Sequence, residues 1–249
     1  MKEKISILGV KIDCLTKKML HEKIEKLLCS DTQTKIFTPN PEFIIKAEKN
    51  DDIKELLNSS TISIPDGIGV VFGSKILGTP LPGRLTGIDT AEFILDIAAK
   101  NNYSVFLLGG KEGVAKTARD KLEEKYQGLS VCGFHHGFFD IKGDQNKDIV
   151  AMINNSGADI LFVCMGFPRQ EKWIAENINK LHSVRIAIGL GGCLDVWSGN
   201  LRRAPLIFRK LSLEWLWRMM LEPKRIKFLS LIPIFILKIL KERVKKDKY

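Results

Sequence analysis

The sequence predicts an α/β protein: a Rossmann-like, mostly parallel sheet with helices on both faces, followed by a C-terminal amphipathic helical membrane-association tail. Three observations carry this. Short β-branched runs alternate with helical patterns from residue 1 to about 200, the runs end in loops rich in Gly, Pro and Asn, and the texture turns basic and apolar after Pro205. No internal repeat, low-complexity tract or Ser/Pro-rich linker interrupts the first part, so one body is expected over 1–201, with 202–249 as its tail.

In chain order, KISILGV reads as a strand and TKKMLHEKIEKLLC as the helix after it. TKIFT is a strand before the helical PEFIIKAEKNDDIKELLN, and TISI a strand before GIGVVFGSKIL. The alternation continues with YSVFLLG and GVAKTARDKLEEKY, LSVCGFHHG and NKDIVAMINNSG, then ADILFVCMG and PRQEKWIAENINKL, and VRIAIGLGG closes it. In such sheets ligands lie beyond the carboxyl ends of the strands, where loops lead into helix N-termini. The loops to inspect are therefore TPNPE, PDGIG, LLGGKEG, HHGFF, CMGFPRQ and GLGGCLDVWSG.

The tail begins as a Trp-rich amphipathic helix and meets a break at Glu222 and Pro223. From Phe228 to Leu240, 13 residues, only Ser230 and Lys238 are non-apolar besides Pro233. That is short of the roughly 20 residues a spanning helix needs. Of the formal net charge of +10, residues 202–249 hold 14 Lys+Arg against 4 Asp+Glu, which leaves 25 of each sign in 1–201. The whole excess sits in the tail. A neutral body with a basic, apolar tail predicts a helix lying in an anionic membrane interface, with Trp215 and Trp217 at the boundary. The alternative is a core-packed or oligomer-forming C-terminal helix.

The same distribution argues against nucleic acid as a partner, because the body lacks a basic stripe with interleaved aromatics. Five cysteines, odd in number and without a CxxC pair, point to a reducing compartment. The first apolar run is too short for a signal-peptide core, so a cytoplasmic protein at the inner face of the plasma membrane is expected.

Asp66 in IPDGIGV either caps the following helix or presents its carboxylate to the ligand crevice as a base for a hydroxyl. In TPNPEF two prolines stiffen the strand end and expose Thr38 and Asn40 to hydroxyls or an acetamido group, or form a plain turn. Gly109 and Gly110 let a nucleotide or phosphate approach the backbone near a helix starting at about Gly113. The segment fits neither GxGxxG nor a P-loop.

Gly191, Gly192, Asp195, Trp197, Ser198 and Gly199 put small residues, a carboxylate and an indole into one strand-end loop, a cradle for base, ribose and diphosphate, and Gly166 joins them as a UDP-binding candidate. Gln170 can hydrogen-bond sugar hydroxyls, although an exposed first-turn position is its ordinary fate, and Arg84 is otherwise a solvated surface residue. The adjacent His135 and His136 are a poor start for a metal site, since neighbours on a strand point apart. No Asp-x-Asp occurs, so metal-independent chemistry without a cofactor is expected. Neither GxSxG nor a Cys/His signature supports a hydrolase.

Taken together and in order, TPNPEF, PDGIGV, LLGG, HHGFF, GFPRQEKW, GGCLDVWSGNLRRAP and EWLWRMMLEP resemble the WecG/TagA/CpsF glycosyltransferase family, over most of the chain. The tail and the LDVWSGNLRRAP loop look most like its TagA branch, which forms the linkage unit of wall teichoic acid. The resemblance implies inverting, metal-independent transfer of N-acetylmannosamine from UDP to undecaprenyl-diphosphate-linked N-acetylglucosamine at the cytoplasmic leaflet. Transfer of its uronic acid or a hexose is the alternative within the family, and a non-catalytic nucleotide- or lipid-binding protein the alternative outside it.

Carried over by motif, Asp66 is the general base, and Thr38, Asn40, Arg84 and Gln170 line the sugar pocket. Arg218 and Arg225 of the tail are candidates to close over the departing diphosphate. Where the family often has a further arginine three residues later, this chain has Phe228 beside Lys227.

Overall fold

The computed structural model describes residues 3–221 and 231–246. Six strands form one wholly parallel sheet: β3 (Thr34–Phe37), β4 (Ile62–Ser63), β5 (Ser104–Gly109), β6 (Ser130–His135), β7 (Ile160–Cys164) and β8 (Ile186–Gly189), in the spatial order β4-β3-β8-β7-β5-β6. Alternate residues of each strand serve opposite faces, as the two-residue period requires. Val105 and Leu107 of β5 enter one apolar cluster and Phe106 and Leu108 the other.

The first cluster is covered by α1 (Lys17–Leu28), α5 (Gly87–Asn101), α6 (Val114–Lys125) and the five-residue α9 (Cys193–Trp197). On the second lie α2 (Pro41–Glu48), α3 (Asp51–Asn58), α4 (Ile68–Ile76), α7 (Asp144–Ser156) and α8 (Arg169–Asn177). Side-chain caps start several of these helices: Thr16, Asn40, Asn50 and Thr86 each accept a backbone N–H of the first turn.

The structure's main departures from the sequence pattern are three. KISILGV is not one strand of the main sheet. It splits into the antiparallel hairpin β1 (Lys4–Ile7) and β2 (Val10–Asp13), because Leu8 and Gly9 both take positive φ, 49° and 85°, as a two-residue hairpin turn demands. The body's longest helix, α5, follows the Gly- and Pro-rich GTPLPGRLTG and escapes the pattern. Eight of its fifteen residues, Gly87 and Thr90 among them, are buried, which blurs its period.

The third departure is the tail. It forms α10 (Leu206–Lys210), α11 (Glu214–Leu221) and α12 (Leu231–Lys246), and α12 turns back onto α2 and α4. Phe235 and Ile239 are fully buried in the second cluster, each worth about 1.5–3 kcal/mol of apolar burial. Gly73 of α4 admits them: a Cβ there would stand 3.0 Å from Phe235 Cε1 and 3.4 Å from Ile239 Cδ1. The core-packed alternative thus holds for the inner face of α12. Its outer face keeps Leu237, Leu240 and Val244 exposed.

Candidate active site

Beyond the carboxyl ends of β3, β4 and β8, roofed by α11 and α12, lies a cleft of about 460 Å³. Thr38 and Asn40 reach it from the end of β3, Asp66 from the end of β4, Arg84 from the loop before α5, and Arg218 from α11. Five sequence candidates from four separate segments therefore meet in one place. Apolar side chains line the cleft as well: Ile68 and Phe72 of α4, Trp215 and Met219 of α11, and Ile232 and Ile236 of α12.

Asp66 is not a cap. Helix α4 is capped by Gly67, at φ 94°, with no side-chain hydrogen bond. Among the described residues the Asp66 carboxylate has no direct ion-pair partner and stays half-buried at the cleft floor. Burial pushes its pKa from 3.8 up to about 6, while Arg218 and then Arg84 pull it down and Glu214 and Asp89 push it up. An ordinary aspartate is too weak a base to take a hydroxyl proton efficiently. One titrating near 6 is far better matched to neutral pH.

The neighbours are held by bonds the sequence did not announce. Arg84 pairs with Glu214 at 3.1 Å and donates to the Arg209 carbonyl at 3.3 Å, so it is no solvated surface residue. Arg203 ties α5 to α11: it pairs with Asp89, with Glu92 at 2.8 Å and, more loosely, with Glu214 at 3.9 Å. These contacts hold α11, and with it Arg218, over Asp66. Neither Arg203 nor Glu214 stood out in the sequence, since their partners in the body, Asp89 and Glu92 for one and Arg84 for the other, lie more than a hundred residues away and leave no local pattern.

Thr38 directs its hydroxyl at the Gly189 carbonyl, 3.4 Å away. Asn40 spends its Oδ1 on the Phe43 N–H, at 3.1 Å, leaving its amide nitrogen for a ligand. Cys193 also lines the cleft, but burial pushes its thiol up to about 12 and keeps it protonated, which removes it as a nucleophile.

Gln170 is elsewhere. It is buried behind the strand ends, 1% exposed, and its Oε1 accepts from the N–H groups of Gly166 at 3.1 Å and Gly191 at 2.9 Å. It belongs to the scaffold and does not line the cleft. The glycine set sits beside the cleft, at the ends of β5, β7 and β8. Gly109 lies so close to the Cys164 carbonyl that a Cβ would fall 2.2 Å from it. Gly110 already donates its N–H to Cys164 O, at 3.0 Å.

The N–H groups of Gly110, Gly166 and Gly191 are thus committed within the protein and are not free dipoles for a diphosphate. What Gly166 and Gly191 offer is surface: nothing lies within 4 Å of a Cβ built on either. Gly192 caps the start of α9, with Asp195 partly exposed in its first turn. The segment after β8 borders both regions, since Leu190 and Cys193 line the cleft while the Gly191 N–H shares Gln170 Oε1 with that of Gly166.

Both imidazoles at the end of β6 are engaged locally: His135 Nδ1 meets the His136 carbonyl at 2.8 Å, and His136 Nδ1 accepts from Phe138 N at 3.2 Å. Among the described residues no three His, Cys, Asp or Glu side chains cluster as metal ligands would. Arg225, Lys227 and Phe228 lie outside the described residues.

A model of the glycosyl transferase WecG/TagA/CpsF family matches residues 5–249. Two Staphylococcus aureus proteins, from strains MRSA252 and COL, are each 38% identical over 249 residues, covering 98% of this chain and 96% of the relative. Both bear the name N-acetylglucosaminyldiphosphoundecaprenol N-acetyl-beta-D-mannosaminyltransferase.

Proposed function

This chain belongs to the WecG/TagA/CpsF glycosyltransferase family, and on that premise we propose that it transfers N-acetylmannosamine from UDP to undecaprenyl-diphosphate-linked N-acetylglucosamine, with inversion and without a metal. The observation that carries the proposal is the Asp66 carboxylate, its pKa raised to about 6, faced by Arg218 and Arg84 in a cleft that is also lined by the apolar side chains of α4, α11 and α12. The acceptor's sugar hydroxyl lies at Asp66 and its lipid runs out past Phe72, Trp215 and Ile236. The donor's nucleotide lies on the open faces of Gly166 and Gly191, and its sugar reaches over the loop after β8.

As the acceptor oxygen bonds to the anomeric carbon, its proton passes to Asp66 and the bond from that carbon to the UDP oxygen breaks. UDP leaves with the electron pair. With three glycine N–H groups already spent, Arg218 and Arg84 are the charges placed to stabilise the growing negative charge on the phosphate. Asp66 then returns its proton to water. A displacement at one carbon by one oxygen inverts that carbon.

The same reading places the protein on the cytoplasmic face of a membrane. No helix among the described residues is long and apolar enough to span one. Leu206, Ile207 and Leu211 of the α10 segment are 64–65% exposed, next to Arg209 and Lys210, and the outer face of α12 pairs Leu237, Leu240 and Val244 with Lys241 and Lys245. Apolar side chains among lysines and arginines suit an anionic interface.

The test is incubation of purified protein with a lipid-linked N-acetylglucosamine diphosphate and a panel of UDP-sugars in EDTA. UDP release is expected with UDP-N-acetylmannosamine. Release only with another UDP-sugar, or only after a divalent metal is restored, would contradict the proposal.

A further inference from the structure

Helix α8 buries two polar side chains on the face that meets the sheet, Gln170 at 1% exposure and Glu171 at 0%. Gln170 Nε2 donates to Glu171 Oε1 at 2.8 Å. Glu171 Oε2 has no hydrogen-bond partner among the described residues. Strand β8 makes room for the pair: a Cβ on Gly189 would lie 2.8 Å from Gln170 Nε2 and 3.1 Å from Glu171 Oε1. A buried polar pair with an unpartnered oxygen costs stability, and apolar side chains would fill this site more cheaply.

The pair does something apolar residues cannot. A side-chain amide has two ends of nearly equal size, one donating and one accepting. Gln170 must present its oxygen to two N–H donors, on Gly166 after β7 and Gly191 after β8. Turned over, its NH2 would face both donors and both bonds would be lost. Glu171 offers oxygens to the other end and holds the amide one way round.

We infer that Glu171 is a positioning residue for the donor: by accepting the Gln170 amide it fixes the oxygen that ties the Gly166 and Gly191 loops together at the spacing in which the nucleotide seats. This role rests on the donor placement given under Proposed function. Burial also pushes the Glu171 carboxyl up to about 7, and either protonation state leaves Oε1 free to accept.

The test uses the full chain and four variants at pH 8, which disfavours a proton shared between two carboxylates. Isothermal titration with UDP gives affinity, steady-state assays give separate KM values for donor and acceptor, and thermal unfolding checks the fold. Glu171→Gln, which can still accept, is expected to bind UDP within about 2-fold of wild type, and Glu171→Leu on the order of 10-fold more weakly. The loss should raise the donor KM and leave the acceptor KM unchanged, a split that general instability does not produce.

Gln170→Glu sets two carboxylates against each other and should weaken UDP binding as Glu171→Leu does. The double variant Gln170→Glu/Glu171→Gln reverses the internal hydrogen bond, keeps oxygens on both glycines and should recover most of the affinity. Should Glu171→Leu fail to fold, this exchange still decides the matter. Undiminished UDP binding by folded Glu171→Leu, or a double variant no better than Gln170→Glu, would overturn the role. Lack of UDP binding by wild-type protein would instead overturn the donor placement on which it rests.

Discussion

Asp66 shows how little a residue's chemistry is fixed by its motif. In the sequence, Pro-Asp-Gly reads equally as a helix cap and as a base. Its removal from capping duty by Gly67, and its burial under two arginines, come from the fold alone. The raised pKa has a sign that can be worked through. The folded value, about 6, lies above 3.8, so between about pH 4 and pH 6 the native state holds the proton that the unfolded chain releases. Stability from this group is therefore highest below pH 4 and falls as pH rises to 6, by up to about 3 kcal/mol.

On the proposed mechanism catalysis runs the other way, because Asp66 must be ionised to act as the base. A plot of kcat/KM against pH should rise through an apparent pKa near 6. Replacing the largest favourable charge, Arg218→Met, should move that limb to higher pH. A limb that stays in place would show that Arg218 does not face Asp66. Gln170 is the opposite lesson: a plausible sugar ligand by motif, it is buried scaffold by position. A clue was legible, since Gln170, Glu171 and Asn177 share one helical face with Trp173 and Ile174, and polar residues on an apolar face need partners.

At the scale of elements, the main strands and most helices were legible because each has its own period and its own punctuation. The β1–β2 hairpin was missed although Leu8-Gly9 between two short alternating runs is a two-residue turn. Helix α12 could not be placed from its pattern, because it has two apolar faces and only the three-dimensional neighbours distinguish them. Gly73 is the neighbour that matters. Gly73→Val puts branched carbon where Phe235 Cε1 already sits at 3.0 Å, and should lift α12 from the body. The variant is expected to keep UDP binding while losing most transfer to acceptor in vesicles, and to unfold at lower temperature. Wild-type transfer by a variant whose α12 has become accessible to protease would contradict a roofing role for the helix.

For the molecule as a whole, the strand order β4-β3-β8-β7-β5-β6 does what no linear reading can. It sets β8 between the strand that carries Thr38 and Asn40 and the strand that leads to Gly166, so one loop borders both halves of the site. Charge distribution was legible at this scale and set the tail apart; the ionic ties from Arg84 to Glu214 and from Arg203 to Asp89 and Glu92, which bring the tail to the cleft, were not.

On the proposed mechanism, this assembly lets Asp66 take a proton from a lipid-linked sugar. That step is tested most directly by comparing wild type with Asp66→Asn for UDP release from UDP-N-acetylmannosamine and lipid-linked N-acetylglucosamine at pH 7.5, alongside UDP binding and thermal unfolding. Turnover at least about 100-fold slower is expected, with UDP binding retained and a melting temperature no lower than that of wild type. Turnover at the wild-type rate by the folded Asn variant would contradict the mechanism.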